Sequence, residues 1–191
     1  MSKPSMSGAA PFSKCVSNEI KIRPATVDDM ARKAEIMAWY NLNTLGDAAE
    51  CPKTPDERID EWRTVTGLGY PYLTAEINGY VVGHTYLRAW RNEPNTAELS
   101  LYVDHEYLYR GIGSRLLEKV FDVLARPGQY SHEWLGESQR ATEHSINAVI
   151  ARAHVNPEGR DGGEGLPRFY ESMGFQKIAR LEKGAKKGGR L

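Results

Sequence analysis

Residues 96–103 read Thr-Ala-Glu-Leu-Ser-Leu-Tyr-Val, residues 104–113 Asp-His-Glu-Tyr-Leu-Tyr-Arg-Gly-Ile-Gly, and residues 114–124 Ser-Arg-Leu-Leu-Glu-Lys-Val-Phe-Asp-Val-Leu. The first segment alternates polar and apolar residues and predicts a strand. Alternation places Glu98, Ser100 and Tyr102 on one face and Ala97, Leu99, Leu101 and Val103 on the other. The last segment predicts a helix from Ser114, with Leu116, Leu117, Val120, Phe121 and Leu124 on one face. Two glycines one residue apart join them. Backbone N–H groups in the first turn of a helix lack intrahelical partners, so this junction can hold an anion. On glycine spacing alone, Gly111 and Gly113 make an ordinary tight turn.

Outward from this stretch, local signals set the other elements. Upstream, Glu19–Arg23 alternates as a short strand ended by Pro24. Thr26, Asp28 and Asp29 open a helix whose apolar face is Met30, Ala34, Met37 and Ala38. After a loop at Gly46–Lys53, Thr54-Pro55-Asp56-Glu57 opens a second helix, which buries Ile59, Trp62 and Val65. Tyr72–Ile77 and Tyr80–Leu87 flank Asn78-Gly79 and predict a hairpin; Arg88–Asn95 is polar and turn-like. Downstream, Arg126-Pro127-Gly128 stops the helix and Gln129–Ser145 is a polar loop. A strand is expected over Asn147–Val155, a flexible connection over Asn156–Gly165, and a helix over Leu166–Met173, closed by Gly174. A last strand is expected over Phe175–Leu181, before a basic, glycine-rich end. The order β-α-α-β-β-β-α-β-α-β, with hairpins in its middle, predicts an α/β fold with a mixed sheet flanked by helices.

The chain has 191 residues, enough for one domain with a real core. Its 25 Lys and Arg balance 25 Asp and Glu, which argues against a dedicated nucleic-acid binder. Residues 1–18 lack a hydrophobic centre and read as a disordered tail, leaving 19–191 as the single domain. No apolar run approaches the roughly 18 residues that span a bilayer, so no membrane partner is expected. Cys15 and Cys51 form neither a metal pair nor a disulfide framework, which fits the reducing cytoplasm. The five histidines show no ligand spacing and no metal is expected.

The order of elements, the turn Tyr109-Arg110-Gly111-Ile112-Gly113-Ser114 and the segment Phe169-Tyr170-Glu171-Ser172-Met173-Gly174-Phe175 resemble the GNAT superfamily of acetyl-CoA-dependent N-acetyltransferases. The resemblance spans Ile20 to Leu181. Ile22-Arg23-Pro24-Ala25-Thr26 and Tyr86-Leu87-Arg88-Ala89-Trp90-Arg91 are most similar to its phosphinothricin and methionine sulfoximine acetyltransferase branch. Leu108 departs from the cofactor motif, whose first position is polar or cationic.

The resemblance implies a mostly antiparallel GNAT-type sheet and direct transfer of acetyl from acetyl-CoA to a primary amine of a small molecule, an amino acid or a toxin like one. That chemistry must take a proton from the amine, stabilise an oxyanion and protonate a thiolate. Carried over by resemblance, Glu98 is the general base and Tyr170 the acid. A partly desolvated carboxylate at Glu98 would be the better base. The backbone of Leu101, Tyr102 and Val103 faces the acetyl group, Arg110, Gly111, Ile112, Gly113 and Ser114 hold the pyrophosphate, and Asn156 touches the coenzyme arm. Trp90 and Arg91 meet the acceptor, the arginine pairing with a carboxylate. On pattern alone Glu98 is a solvated residue, Trp90 a loop anchor, Tyr170 a core aromatic and Asn156-Pro157 a turn. Two other functions stay open: acetylation of a protein lysine or N-terminus, and a non-catalytic acyl-CoA-binding module. Members of this branch add one more strand near the end, and an edge left unfilled there invites a homodimer.

Overall fold

The computed structural model describes residues 19–44, 51–140, 145–155 and 160–180. The middle of the sheet is set by turn chemistry. Asn78 and Gly79 both lie at positive φ, 54° and 79°, the geometry that matches the twist of paired strands. They join β2 (Tyr72–Ile77) to β3 (Tyr80–Trp90). From Trp90 the chain turns at Arg91-Asn92, Arg91 again at positive φ, into β4 (Glu93–Val103).

Pairing thus invades the segment expected to be a polar turn. Ala89 faces Ala97 whereas Trp90 faces Glu93, so residues 94–96 are extra on β4 and the ladder absorbs them as an irregularity. Of the residues expected to make a loop, Arg88, Ala89, Trp90 and Glu93 have partners in the ladder, Arg88 lying directly opposite Glu98. β1 (Ile20–Pro24) adds antiparallel to β2, and β5 (Ala148–Ala151) adds parallel to β4. The result is a five-stranded, mostly antiparallel sheet in the order β1-β2-β3-β4-β5.

Helix boundaries follow their caps. α1 spans Asp29–Asn43; Asp29 accepts the Thr26 N–H at 2.8 Å and a fork from Arg23 at 2.7 and 2.8 Å. α2 spans Pro55–Gly67 behind a full capping box, in which Thr54 Oγ1 and Glu57 satisfy each other's N–H. α3 spans Ile112–Ala125 and begins two residues before the expected Ser114.

One sheet face packs on α3, where Leu116, Leu117 and Val120 are fully buried with Leu73, Leu87 and Ala97. The other face packs on α1 and α2 and carries polar groups inside. Tyr72 and Tyr86 stack at 4.7 Å, and Lys33 Nζ lies 4.3 and 4.4 Å from their ring centres. Glu61 accepts from Lys33 at 3.1 Å, Arg58 at 3.0 Å and the Tyr86 hydroxyl at 3.2 Å. Burial would raise the Glu61 carboxyl, but Lys33 and Arg58 outweigh it and hold it down to about 2. Burial pushes Lys33 down to about 8 against the pull of Glu61.

The last strand expected from the sequence is not formed over residues 175–180. α4 (Gly165–Ser172) ends with Gly174 at φ 91°, where Phe175 N–H returns to the Tyr170 carbonyl and Gly174 N–H to that of Glu171. This is the Schellman arrangement. It turns Phe175 back against Tyr170 and Phe121, at 5.2 and 5.8 Å between rings, so the residue that would have opened a strand packs against the helix it follows. β5 is also shorter than the expected Asn147–Val155.

Candidate active site

β4 and β5 pair only from Thr96↔Ala148 to Leu99↔Ala151, while β4 continues to Val103. Beyond Leu99 that edge of β4 is open among the described residues, with no strand paired to it. Asp104 N–H bonds to the Val82 carbonyl at 2.8 Å, which makes Val103 and Gly83 a non-hydrogen-bonded pair. Val103, and Leu101 two residues before it, therefore turn their backbone groups toward the open edge, whereas Tyr102 turns its own toward β3. Tyr40, from α1, donates to the Val103 carbonyl on that edge at 2.6 Å. Of the three residues expected to face the acetyl group, Leu101 and Val103 present their N–H there.

Glu98 lies just before the open stretch. It is not a solvated strand residue: only 7% of it is exposed. Nor is it a desolvated carboxylate on its own. Its Oε2 accepts Arg88 Nε at 2.9 Å and lies 2.8 Å from the terminal Arg88 nitrogen, while Oε1 accepts from Arg152, just past the end of β5. On the same face, Tyr102 stacks on the buried His84 ring at 5.5 Å and meets Tyr40 at 5.4 Å. Burial, with Lys33 and Arg58 adding to it, holds His84 well below the ordinary imidazole value, so it is neutral.

Tyr170 is buried on α4 against Phe169 and Phe175. Burial, and next the neighbouring Tyr102, push its phenol above the ordinary value, so it keeps its proton through neutral pH. The Schellman closure fixes this side chain from behind.

The turn before α3 suits an anion. Gly111 caps the helix at φ 76° with open space around it, so its need is conformational. Gly113 is needed for space: a Cβ there would lie 3.3 Å from Phe169 Cζ. Arg115 N–H makes the first backward bond, to Gly111, leaving the Ile112, Gly113 and Ser114 N–H groups at the helix end, with no acidic residue in the first turn. Arg110 leans back, its guanidinium 3.1 Å from the Glu106 carbonyl and 4.8 Å from the Tyr107 ring centre. This helix end presents three backbone N–H donors with no acidic residue in the first turn, the arrangement that takes an anion.

Trp90 and Arg91 sit at the β3–β4 hairpin tip, the arginine 5.3 Å from the Trp90 ring centre. They are at the opposite end of β4 from the glycine turn. Asn156 lies outside the described residues. Among the described residues no group of three or more His, Cys, Asp or Glu could hold a metal ion, and no helix is long and apolar enough to cross a membrane. Arg88, Arg152 and Tyr40 were not singled out from the sequence. Arg88 would have followed from the hairpin register; Arg152 and Tyr40 arrive from elements far away in the chain.

The family model described as Acetyltransferase (GNAT) family matches residues 34–149. The chain is 33% identical over 141 residues to the phosphinothricin N-acetyltransferase of Streptomyces viridochromogenes, covering 64% of this chain and 76% of that one. It is 33% identical over 132 residues to the L-methionine sulfoximine/L-methionine sulfone acetyltransferase of Salmonella typhimurium, covering 64% and 77%. Among solved structures, the acetyltransferase yncA from Salmonella typhimurium, determined with acetyl-CoA, superposes with a TM-score of 0.72 at 25% identity, over 90% of this chain and 88% of that one. The match over residues 34–149 shows the family: the chain belongs to the GNAT family of acetyltransferases.

Proposed function

We propose that the protein acetylates the primary amine of a small, amino-acid-like molecule, with Glu98 as base and Tyr170 as acid. One observation carries the reading: a buried carboxylate and an edge that no described strand pairs lie on a single strand, three residues apart. Acetyl-CoA supplies the thioester, whose C–S bond breaks as the amine lone pair forms the C–N bond. Glu98 takes, directly or through a water, the proton the ammonium must lose before its lone pair can attack; the second proton leaves nitrogen to solvent as the amide forms. The N–H of Leu101 or Val103 faces the carbonyl oxygen as negative charge develops on it. Tyr170 gives its proton to the departing sulfur and recovers one from solvent.

The N–H groups of Ile112, Gly113 and Ser114, freed by the Gly111 turn, hold the pyrophosphate, and Arg110 joins them on releasing Glu106. Tyr102 lines the arm with its ring, and Asn156 is a further contact to the arm by family resemblance. Trp90 and Arg91 are the outer contacts for the acceptor. The relatives that act on phosphinothricin and on methionine sulfoximine or sulfone support an acceptor of this size and charge. The cytoplasm is the proposed location, and a homodimer formed through the edge of β5 away from β4 is the proposed assembly.

A panel of amino acids, their toxic analogues, polyamines and a lysine peptide, read by release of free coenzyme A thiol, tests the reading. Turnover of the amino-acid group supports it. Turnover of the peptide alone would make the protein a protein acetyltransferase. Coenzyme binding without thiol release on any amine would make it a binding module.

A further inference from the structure

Arg152 contacts the proposed base from the point where β4 and β5 separate. Its Nε donates to Glu98 Oε1. It follows Ala151, the last residue of β5 paired to β4, and lies two residues beyond Ile150, which faces Glu98 across the ladder. An acceptor whose amine reaches Glu98 Oε1 therefore comes within range of this side chain.

The two arginines on Glu98 are not equivalent. Arg88 stands directly opposite Glu98 in the antiparallel ladder and places two nitrogens on Oε2. Arg152 makes the described contact with Oε1 through a side chain that is 60% exposed, whereas the glutamate side chain is 9% exposed. Arg88 is 43% exposed but held by two nitrogens and by the ladder; Arg152 is more exposed and held through Nε, so Oε1 is the oxygen more readily uncovered.

An oxygen engaged by a guanidinium has to give up that bond before it can take a proton from an ammonium. For a simple amine the ammonium replaces the arginine at Glu98, but nothing replaces Glu98 at Arg152. An acceptor with a carboxylate beside its amine offers Arg152 a replacement, and guanidinium–carboxylate pairs form readily as two-pronged contacts. The ion pair is then exchanged instead of broken, and the ammonium arrives at the oxygen that Arg152 has left.

We propose that Arg152 is a substrate-operated gate: it covers Glu98 Oε1 until an acceptor carboxylate draws it away, which restricts the acceptor to α-amino acids and their close analogues. The proposal rests on the acetyltransferase reading above and moves the carboxylate contact from Arg91, at the hairpin tip, to the end of β5.

The test uses the full chain and three matched pairs: L-methionine with 3-(methylthio)propylamine, L-phenylalanine with phenethylamine, and L-leucine with isopentylamine. Wild-type protein is expected to favour the amino acid of a pair by about 10- to 100-fold in kcat/KM, the worth of one charge-assisted hydrogen bond. Arg152→Ala is expected to lower kcat/KM for the amino acid and raise it for the amine, so that the preference collapses; Arg152→Lys should retain part of it. Calorimetric titration of the same amino acid into protein loaded with free coenzyme A should show the matching loss of affinity in Arg152→Ala without any turnover. Equal falls for both members of each pair, or an unchanged preference, would overturn the gate and leave the acetyltransferase reading standing. Absence of transfer to every compound by wild-type protein that binds acetyl-CoA would overturn both.

Discussion

Arg88 faces Glu98 across the β3–β4 ladder and sets two nitrogens against one carboxylate oxygen, at 2.9 and 2.8 Å. The carboxylate is thereby fixed in direction as well as buried, with its second oxygen toward the point where β4 and β5 part. Glu98→Gln keeps the shape and removes the basicity. It is expected to lower kcat by about 10²- to 10⁴-fold, the usual contribution of a positioned base. The KM for acetyl-CoA should stay near the wild-type value, since the pyrophosphate end lies elsewhere. Steady-state thiol release over a range of pH checks both, and an unchanged pH–rate profile would remove Glu98 from the chemistry.

Tyr170→Phe removes one hydroxyl from a buried ring and leaves its packing on Phe175. The loss should fall on kcat, by about 10²-fold or more if sulfur protonation limits the rate. The phenol also makes stability depend on pH. Its folded-state value is raised by burial, so the folded protein holds the proton that the unfolded chain gives up near the ordinary pKa of about 10. The stabilisation is complete below that point and is lost as pH climbs above it. Denaturant titrations of wild type and Tyr170→Phe should accordingly differ in their alkaline limb; parallel curves would contradict the shift.

Gly111 and Gly113 are expected to respond differently to substitution. Gly111→Ala forces a side chain into a left-handed conformation, with no clash, and should cost roughly 1 kcal/mol of stability. Gly113→Val pushes against Phe169, the neighbour of Tyr170, so it should raise the KM for acetyl-CoA and lower kcat together. Thermal melts separate the two from kinetics: a Gly113→Val protein with wild-type kinetics would show that the approach of Phe169 is incidental.

Glu61 is the acid that balances Lys33 and Arg58 between the sheet and α2. Glu61→Gln leaves two buried cations facing each other and should destabilise by about 3–5 kcal/mol. Lys33→Met in the same chain should restore part of that loss, because it removes one uncompensated charge. The sign with pH is set by the depressed Glu61 carboxyl, ordinarily at 4.5 and here about 2. Its contribution is present above pH 4.5 and is lost as pH falls toward 2. The variant and wild type should converge in that acid range, measured by chemical denaturation.

Much of the fold was legible because its signals were local. Thr54, Pro55 and Glu57 announced the start of α2, Asn78-Gly79 set the first hairpin, and Gly174 closed α4 in the expected manner. The end of β3 and the start of β4 were not legible, because Arg88 and Glu93 look like loop residues until the ladder pairs them with Glu98 and Trp90. The strand expected at Phe175 failed for a similar reason: nothing local reveals that its aromatic ring packs on Tyr170. In the site, Glu98 and Tyr170 were named by resemblance, but their surroundings were not. Arg152 is 54 residues from Glu98 in the chain, and no spacing rule links them.

The residue-by-residue alternation of β4 also limits how this site can change. Glu98 points to one face while Leu101 and Val103 offer their N–H at the edge, and both follow from one register against β3. Inserting or deleting a single residue between them would rotate the carboxylate to the α3 side and turn the edge donors inward. The strand is therefore frozen in length between positions 98 and 103, however the acceptor varies. Room for a different acceptor lies in the pieces that meet β4 without sharing its register: the start of the chain beyond β5, the hairpin tip and the end of α1. Redesign of specificity belongs there, with the central strand left untouched.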